Sequence, residues 1–192
     1  MVHVERLHGL IREVYEAGLI TEGNFEFRSG MRALKLIDRD RVLSDTHIAS
    51  RLGYAIAKHF FLNRIDVIAT PSVWGAGLAQ WVGFFLDPRR SVVYPTPSGG
   101  SVTLSESARE MITDKRVLIV DNLILSGKTI QDFVRTVSAS GGRPIGIGAL
   151  ADISGREFPI PTLGLLNEWL DIYDPKVEPD RGLGVPVTQI GY

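Results

Sequence analysis

Apolar residues recur along this chain at two different periods. Over residues 4–17, Val4, Leu7, Leu10, Ile11, Val14 and Tyr15 fall at helical spacing, and Gly18 follows where a glycine commonly ends a helix. The chain is therefore expected to open with an amphipathic helix. Residues 25–30 (Phe-Glu-Phe-Arg-Ser-Gly) alternate, and after the Ser29-Gly30 break residues 33–37 run extended, which predicts a short antiparallel hairpin. Ser44 or Asp45 can cap a helix running to about residue 61, with Ile48, Leu52, Ala55 and Ile56 on its apolar face. Short, continuously apolar runs follow at 66–70, 91–94, 116–121 and 144–151, and helical stretches near 76–86 and 128–140 lie between them. Such runs imply parallel strands covered on both faces, so the pattern predicts an α/β fold with a central parallel sheet flanked by helices.

Two stretches break that rhythm. Residues 95–107 contain Pro-Thr-Pro-Ser-Gly-Gly-Ser, too polar for a core element and long for a plain connection, and are expected to form a mobile loop. After Asp152 the pattern loosens, with a helix expected around 162–170 and an extended run at 185–190. This tail is expected to cap the single domain, residues 1–192, rather than to form a second one.

Composition narrows the chemistry. With 21 basic and 22 acidic side chains the net charge is −1, which supplies no field for a general nucleic-acid binder. The chain has no cysteine, which closes thiolate metal sites and thiol nucleophiles and agrees with a cytoplasmic protein. No window approaches the roughly 20 apolar residues of a membrane span, and no targeting segment is expected at the N-terminus. His3, His8, His47 and His59 show no metal-ligand spacing, so no metal site is assigned to the protein's side chains.

The strongest candidate site is Val117-Leu-Ile-Val-Asp121-Asn122-Leu-Ile-Leu-Ser126-Gly127-Lys128-Thr129, an apolar strand ending on an acid, then a small-polar turn opening a helix. Ligands of open parallel sheets sit beyond the carboxyl ends of the strands, and the amides at a helix N-terminus suit a phosphate. Asp121 and Asn122 can accept from or donate to sugar hydroxyls, so acid and phosphate cradle together describe a phosphosugar site. The Asp121 carboxylate is expected to be solvated at the mouth of the sheet. Asp121 could instead cap an ordinary turn. Ser126-Gly-Lys-Thr129 also matches the end of the P-loop motif G-x-x-x-x-G-K-[ST], although Asn122 stands where its first glycine belongs.

This segment resembles the phosphoribosyl-diphosphate (PRPP) signature of the type I phosphoribosyltransferases. Gly23-Asn-Phe-Glu-Phe-Arg28-Ser29-Gly30 is similar to the hairpin of the orotate-type members, and Thr70-Pro71-Ser72-Val73-Trp74-Gly75 falls where they keep a diphosphate-binding loop. The resemblance implies the type I fold, with a small hood made by the N-terminal hairpin and the C-terminal tail. It also implies transfer of ribose 5-phosphate from PRPP to a nitrogenous base, an orotate-like pyrimidine first among the acceptors, with Mg²⁺. By the same resemblance Asp121 and Asn122 are the catalytic, ribose-holding residues, and Leu125, Ser126, Gly127, Lys128 and Thr129 hold the 5-phosphate. Val73, Trp74 and Gly75 take the diphosphate, and Arg28 the diphosphate or the base. A homodimer is implied too, in agreement with the apolar run Trp81-Val-Gly-Phe-Phe-Leu86.

The chain departs from that family at several positions. Its counterpart of the basic mobile loop, residues 95–111, has Arg109 as its only cation, Trp74 stands where a lysine is common, and the acidic pair is Asp121-Asn122. Ile153 follows the strand where an orotate-reading arginine is expected, and Arg156 comes three residues later. The weak basic loop favours the alternative of a non-catalytic PRPP- or nucleotide-binding protein of the same fold.

Overall fold

A computed structural model describes residues 2–98, 101–179, 181–182 and 184–190. The chain opens with α1 (Val2–Glu16), which buries Leu10, Ile11 and Val14; the contributions expected of Val4 and Leu7 lie outside the described side chains. A hairpin follows from β1 (Ile20–Phe27) and β2 (Arg32–Ile37), then the short α2 (Arg39–Ser44) and α3 (Thr46–His59). Asp45 caps α3 as expected, its Oδ1 accepting from the His47 and Ile48 N–H groups at 3.0 Å. Next come β3 (Val67–Ala69), α4 (Ala76–Phe85), β4 (Val92–Val93), β5 (Thr96–Ser98), β6 (Ser101–Thr103) and α5 (Glu106–Ile112). The second half holds β7 (Arg116–Ile124), α6 (Lys128–Ala139), β8 (Arg143–Asp152), β9 (Thr162–Gly164), α7 (Asn167–Leu170), β10 (Ile172–Tyr173) and β11 (Val187–Ile190).

The central sheet has the order β4-β3-β7-β8-β9, and its strands are parallel throughout. Side chains alternate across β7. Leu118 and Val120 enter one apolar layer with Leu52 and Ile56 of α3 and Leu78 and Val82 of α4. Val117 and Ile119 enter the other, with Ala108 and Ile112 of α5 and Ile130, Phe133 and Val137 of α6. The spacing of those α6 residues puts them on one face, so one helix stripe seals that side of the sheet. The architecture is the one expected from the buried apolar runs, a parallel sheet between two helical layers.

A second, mixed sheet of order β10-β2-β1-β11 joins the N-terminal hairpin to the C-terminal tail. The Asn24 amide donates to Gly182 O at 3.3 Å, and the Tyr173 hydroxyl lies 3.1 Å from Asn24 Oδ1. Ser29 Oγ donates to Ile153 O at 2.8 Å, which docks the hairpin turn on the segment leaving β8.

Three expectations are corrected. Residues 95–107 are not plain loop: Thr96–Ser98 pairs antiparallel with Ser101–Thr103, and Ser105 caps α5 by accepting from Ala108 N–H at 3.2 Å. The part of that expectation falling on residues 99–100 lies outside the described residues. The helix expected over 162–170 shrinks to Asn167–Leu170, because residues 162–164 take the free edge of β8 as β9. Finally β7 does not stop at Asp121 but runs to Ile124.

At the start of β7, Asp66 accepts from Arg116 N–H at 2.9 Å and from its guanidinium at 3.1 Å on both oxygens, which ties the β3 and β7 ends together. Hydrogen bonds from the Arg116 side chain and backbone hold the Asp66 carboxyl down at about 2. A depressed carboxyl stabilises the fold above its unfolded value, and the contribution disappears as pH falls through the folded value. Parent stability should therefore drop between about pH 4 and pH 2. Asp66→Asn should flatten that segment and cost about 1 kcal/mol at pH 7, since the pair is one-third exposed. Denaturant unfolding across this range checks both; an unchanged pH profile in the variant would count against the tie.

Candidate functional site

The extension of β7 decides the environment of the candidate acid. Asp121 pairs with Ala149 and Leu123 with Ala151 of β8, so Asp121 and Asn122 sit inside the sheet, 6% and 5% exposed. The solvated carboxylate expected from sequence is thus corrected to a buried one, because Leu123 and Ile124 continue the apolar strand beyond the polar pair. Asp121 Oδ1 accepts from Asn122 N–H at 2.8 Å and from Ser72 Oγ at 3.3 Å. Burial pushes the carboxyl up to about 6, against the pull of these two bonds and of the Arg39 charge. Asn122 Oδ1 accepts from Leu123 N–H at 2.6 Å.

Ser72 opens the tight turn Val73–Gly75 that leads into α4, and its Oγ accepts from Gly75 N–H at 3.3 Å. Gly75 passes directly over the acid: a Cβ there would lie 2.8 Å from Asp121 Oδ1 and 2.5 Å from Thr70 Oγ1. Only glycine allows that approach. Val73 and Trp74 are 63% and 67% exposed at the rim.

Beyond β7, residues 125–127 turn into α6, with Gly127 at a left-handed φ of 73° as its cap. The first N–H groups of a helix have no partners within it, so this turn presents donors and the positive end of the dipole. Arg156 Nε donates to Ser126 O at 2.7 Å, and its Cδ would lie 2.8 Å from a Cβ on Gly127, so the segment after β8 packs against the turn.

These elements enclose a cavity of about 250 Å³, lined by Asp121, Asn122, Ser72, Trp74, Arg39 and the turn with Thr129. The structure thereby brings together Asp121, Asn122, Trp74, Leu125, Ser126, Gly127 and Thr129, with Gly75 packed behind the acid. Lys128 does not line the cavity; it is exposed and pairs with Asp132 one turn along α6, 2.5 Å away. Arg28 is exposed in the hairpin turn and does not line it either. Ser72 and Arg39 were not singled out from sequence. Ser72 lies in the Thr-Pro-Ser stretch already assigned to the loop, but no local signal distinguishes Arg39, which arrives through tertiary folding alone. A second cavity of about 380 Å³ lies between Met31 and Ile172 of the hood region and Gly155, Arg156 and Asp152. Among the described residues no group of three or more acidic or histidine side chains could cage a metal ion, and no helix is long and apolar enough to cross a membrane.

Comparison with known proteins agrees with this fold. No family model matches the chain. The orotate phosphoribosyltransferase of Thermus thermophilus is 26% identical over 183 residues, which cover 94% of this chain and 99% of that protein. The crystal structure of the orotate phosphoribosyltransferase of Aeropyrum pernix superimposes with a TM-score of 0.55 at 18% identity, covering 94% of this chain and 91% of the other. That of the Mycobacterium tuberculosis enzyme in complex with inorganic phosphate gives 0.54 at 19% identity, covering 77% and 83%. Sequence likeness along almost the whole length, on a parallel sheet whose third strand carries the acid and leads into the turn before α6, gives this chain the type I phosphoribosyltransferase fold and makes it similar to the orotate phosphoribosyltransferases.

Proposed function

We propose that the protein transfers ribose 5-phosphate from PRPP to a pyrimidine base of the orotate kind, with release of diphosphate, the whole chain acting as one domain. The observation that carries this is the shared cavity of Asp121, Asn122 and the turn before α6. In this reading the N–H groups of residues 125–129 hold the 5-phosphate, as helix N-termini hold anions generally. The unengaged oxygen of Asp121 and the Asn122 amide accept from and donate to the ribose hydroxyls. The Val73–Gly75 turn faces the diphosphate. The acceptor base would enter the cavity beneath Met31, where Arg156 joins it to the phosphate turn.

The donor set fits Mg²⁺ brought in on the diphosphate better than a caged ion: Asp121 offers one carboxylate, and Mg²⁺ commonly keeps several waters beside one or two such ligands and substrate phosphates. When bound, the ion neutralises charge on the leaving diphosphate. The rest of the work falls to the protein, which orients the ribose over a buried acid so that the C1–oxygen bond to diphosphate breaks as the base nitrogen bonds to C1, the nitrogen's proton passing to the departing diphosphate or to water.

We also propose a homodimer through α4. Phe84 and Tyr54 are 47% and 40% exposed, and Trp81, Phe84 and Phe85 stack edge-on or offset with each other and with Tyr54. Aromatic clusters of this kind are enriched where subunits meet. Light scattering at micromolar concentration should give twice the chain mass, and Phe84→Glu should give a monomer; a monomeric parent would refute the dimer.

The transferase reading is tested by diphosphate release from PRPP with orotate, expected with the parent. PRPP binding without release from any base in a panel would instead fit a binding protein. Asp121→Asn gives a paired test. PRPP binding should weaken about tenfold to a hundredfold with the loss of charge-assisted hydrogen bonds. Stability should move the other way. A carboxyl raised in the fold leaves stability intact below its unfolded value, about pH 4, and removes it as pH rises through the folded value near 6. The parent should therefore lose on the order of 1–3 kcal/mol between pH 4 and pH 7 that the variant keeps. Thermal unfolding at pH 4 and pH 8 reads the difference, and equal pH profiles would remove the strained-acid account.

A further inference from the structure

We propose that Arg39 is a further substrate-binding residue of this site, a fixed cation that engages the diphosphate end of PRPP. The inference rests on the transferase reading and adds to it a residue from the hood side of the molecule. Among the described residues that line the cavity, Arg39 is the only lysine or arginine. No other residue lining the cavity carries positive charge: Ser72 and Trp74 border it at the turn into α4, and the remaining lining residues fall within 121–130. A departing diphosphate accumulates negative charge, and a cleft whose one ionisable group besides Arg39 is an acid opposes that charge unless a cation stands by.

The backbone holds Arg39 in place. It follows directly on β2, whose Ile37 pairs with Ile20, and Asp38 N–H donates to Leu19 O at 2.9 Å. Asp38 Oδ1 then caps α2 by accepting from Arg41 N–H at 3.1 Å. The Arg39 side chain is 23% exposed, and its Nε lies 3.4 Å from Asp40 Oδ1. Asp40 itself is 74% exposed, so that pair is weak and easily exchanged for a phosphate oxygen. The charge of Arg39 also reaches the buried carboxyl of Asp121 and favours its ionised form.

Two roles must be separated, because Arg39 could act on the ligand or only on Asp121. Ribose 5-phosphate needs Asp121 and the phosphate turn but has no diphosphate, so it tells the roles apart. Calorimetry at pH 8 with Mg²⁺ and no base would compare the parent with Arg39→Met and Arg39→Lys against PRPP, inorganic diphosphate and ribose 5-phosphate. Arg39→Met, which keeps the aliphatic stem, should bind PRPP and diphosphate about tenfold to a hundredfold more weakly, and ribose 5-phosphate within about twofold of the parent. Arg39→Lys should fall between, since it keeps the charge and loses the fork. Arg39→Gln replaces Arg39→Met if the latter does not melt cooperatively. PRPP binding equal to the parent's overturns the assignment, as does an equal loss for ribose 5-phosphate, which would make Arg39 a support for Asp121 alone. A parent that binds none of the three overturns the transferase reading and this inference with it; failure of the variant pattern on a PRPP-binding parent overturns only this inference.

Discussion

The burial of one carboxylate inside a parallel strand organises the candidate site. Asp121 pairs with Ala149 of β8, and among the described residues only two hydrogen bonds reach its Oδ1, from Ser72 and from the next backbone amide. For the Ser72 turn to come close enough, the chain above it must lack a side chain, which is why Gly75 passes over the acid with no room for a methyl group. The crossover from β3 to α4, the middle of β7 and the start of α6 are thus held in one arrangement by the needs of a single group. Charged groups are rarely taken out of water without such support, and here the support is partial, which leaves the carboxyl proton-hungry.

Much of the frame could be read from the order of residues. Unbroken apolar runs such as Val117 to Val120 have no polar face, so they had to lie between layers, and the stripe Ile130, Phe133, Val137 had to face them. The end of β7 was not legible in the same way. Asp121 and Asn122 look like the close of a strand because polar residues usually leave the sheet, yet pairing with Ala149 and Ala151 keeps the chain extended through Ile124. Local polarity lost to tertiary hydrogen bonding. Elements decided by sheet edges were equally hidden: β9 exists because β8 offers an open edge, and the hairpin at residues 96–103 because its two short strands find each other. The α2 and α5 helices were missed although each has a capping residue, Asp38 and Ser105, since six or seven residues give too little periodicity to register.

Site membership divides along the same line. Residues contiguous with the signature, from Asp121 to Thr129, could be named from sequence because strand, turn and helix follow in order. Lys128 shows the limit of that reasoning: adjacency placed it in the cradle, but its position on α6 directs it to Asp132 and solvent. Arg39 and Arg156 show the converse. They come from segments far apart in the chain, one following the hairpin and one following β8, and both are brought to the turn and its cavity by the docking of the hood, through contacts such as Ser29 to Ile153.

That distribution gives the hood a physical part in the site beyond covering it. Arg156 lines one cavity, beside Met31 and Gly155, and through its bond to the carbonyl of Ser126 holds the turn that lines the other. A ligand group under the hairpin that displaced or drew on the Arg156 guanidinium would alter the hold on the very turn that lines the other cavity, and a ligand at the turn would alter the arginine's availability in return. Such coupling is reciprocal by thermodynamic necessity. The same economy applies to Asp121: with Oδ1 engaged by Ser72 and the Asn122 amide, its second oxygen keeps acceptor capacity that donor hydroxyls can use. The raised proton affinity of the carboxyl and its capacity to accept from hydroxyls are then two consequences of one buried group, and a substitution that relieves the first removes the second.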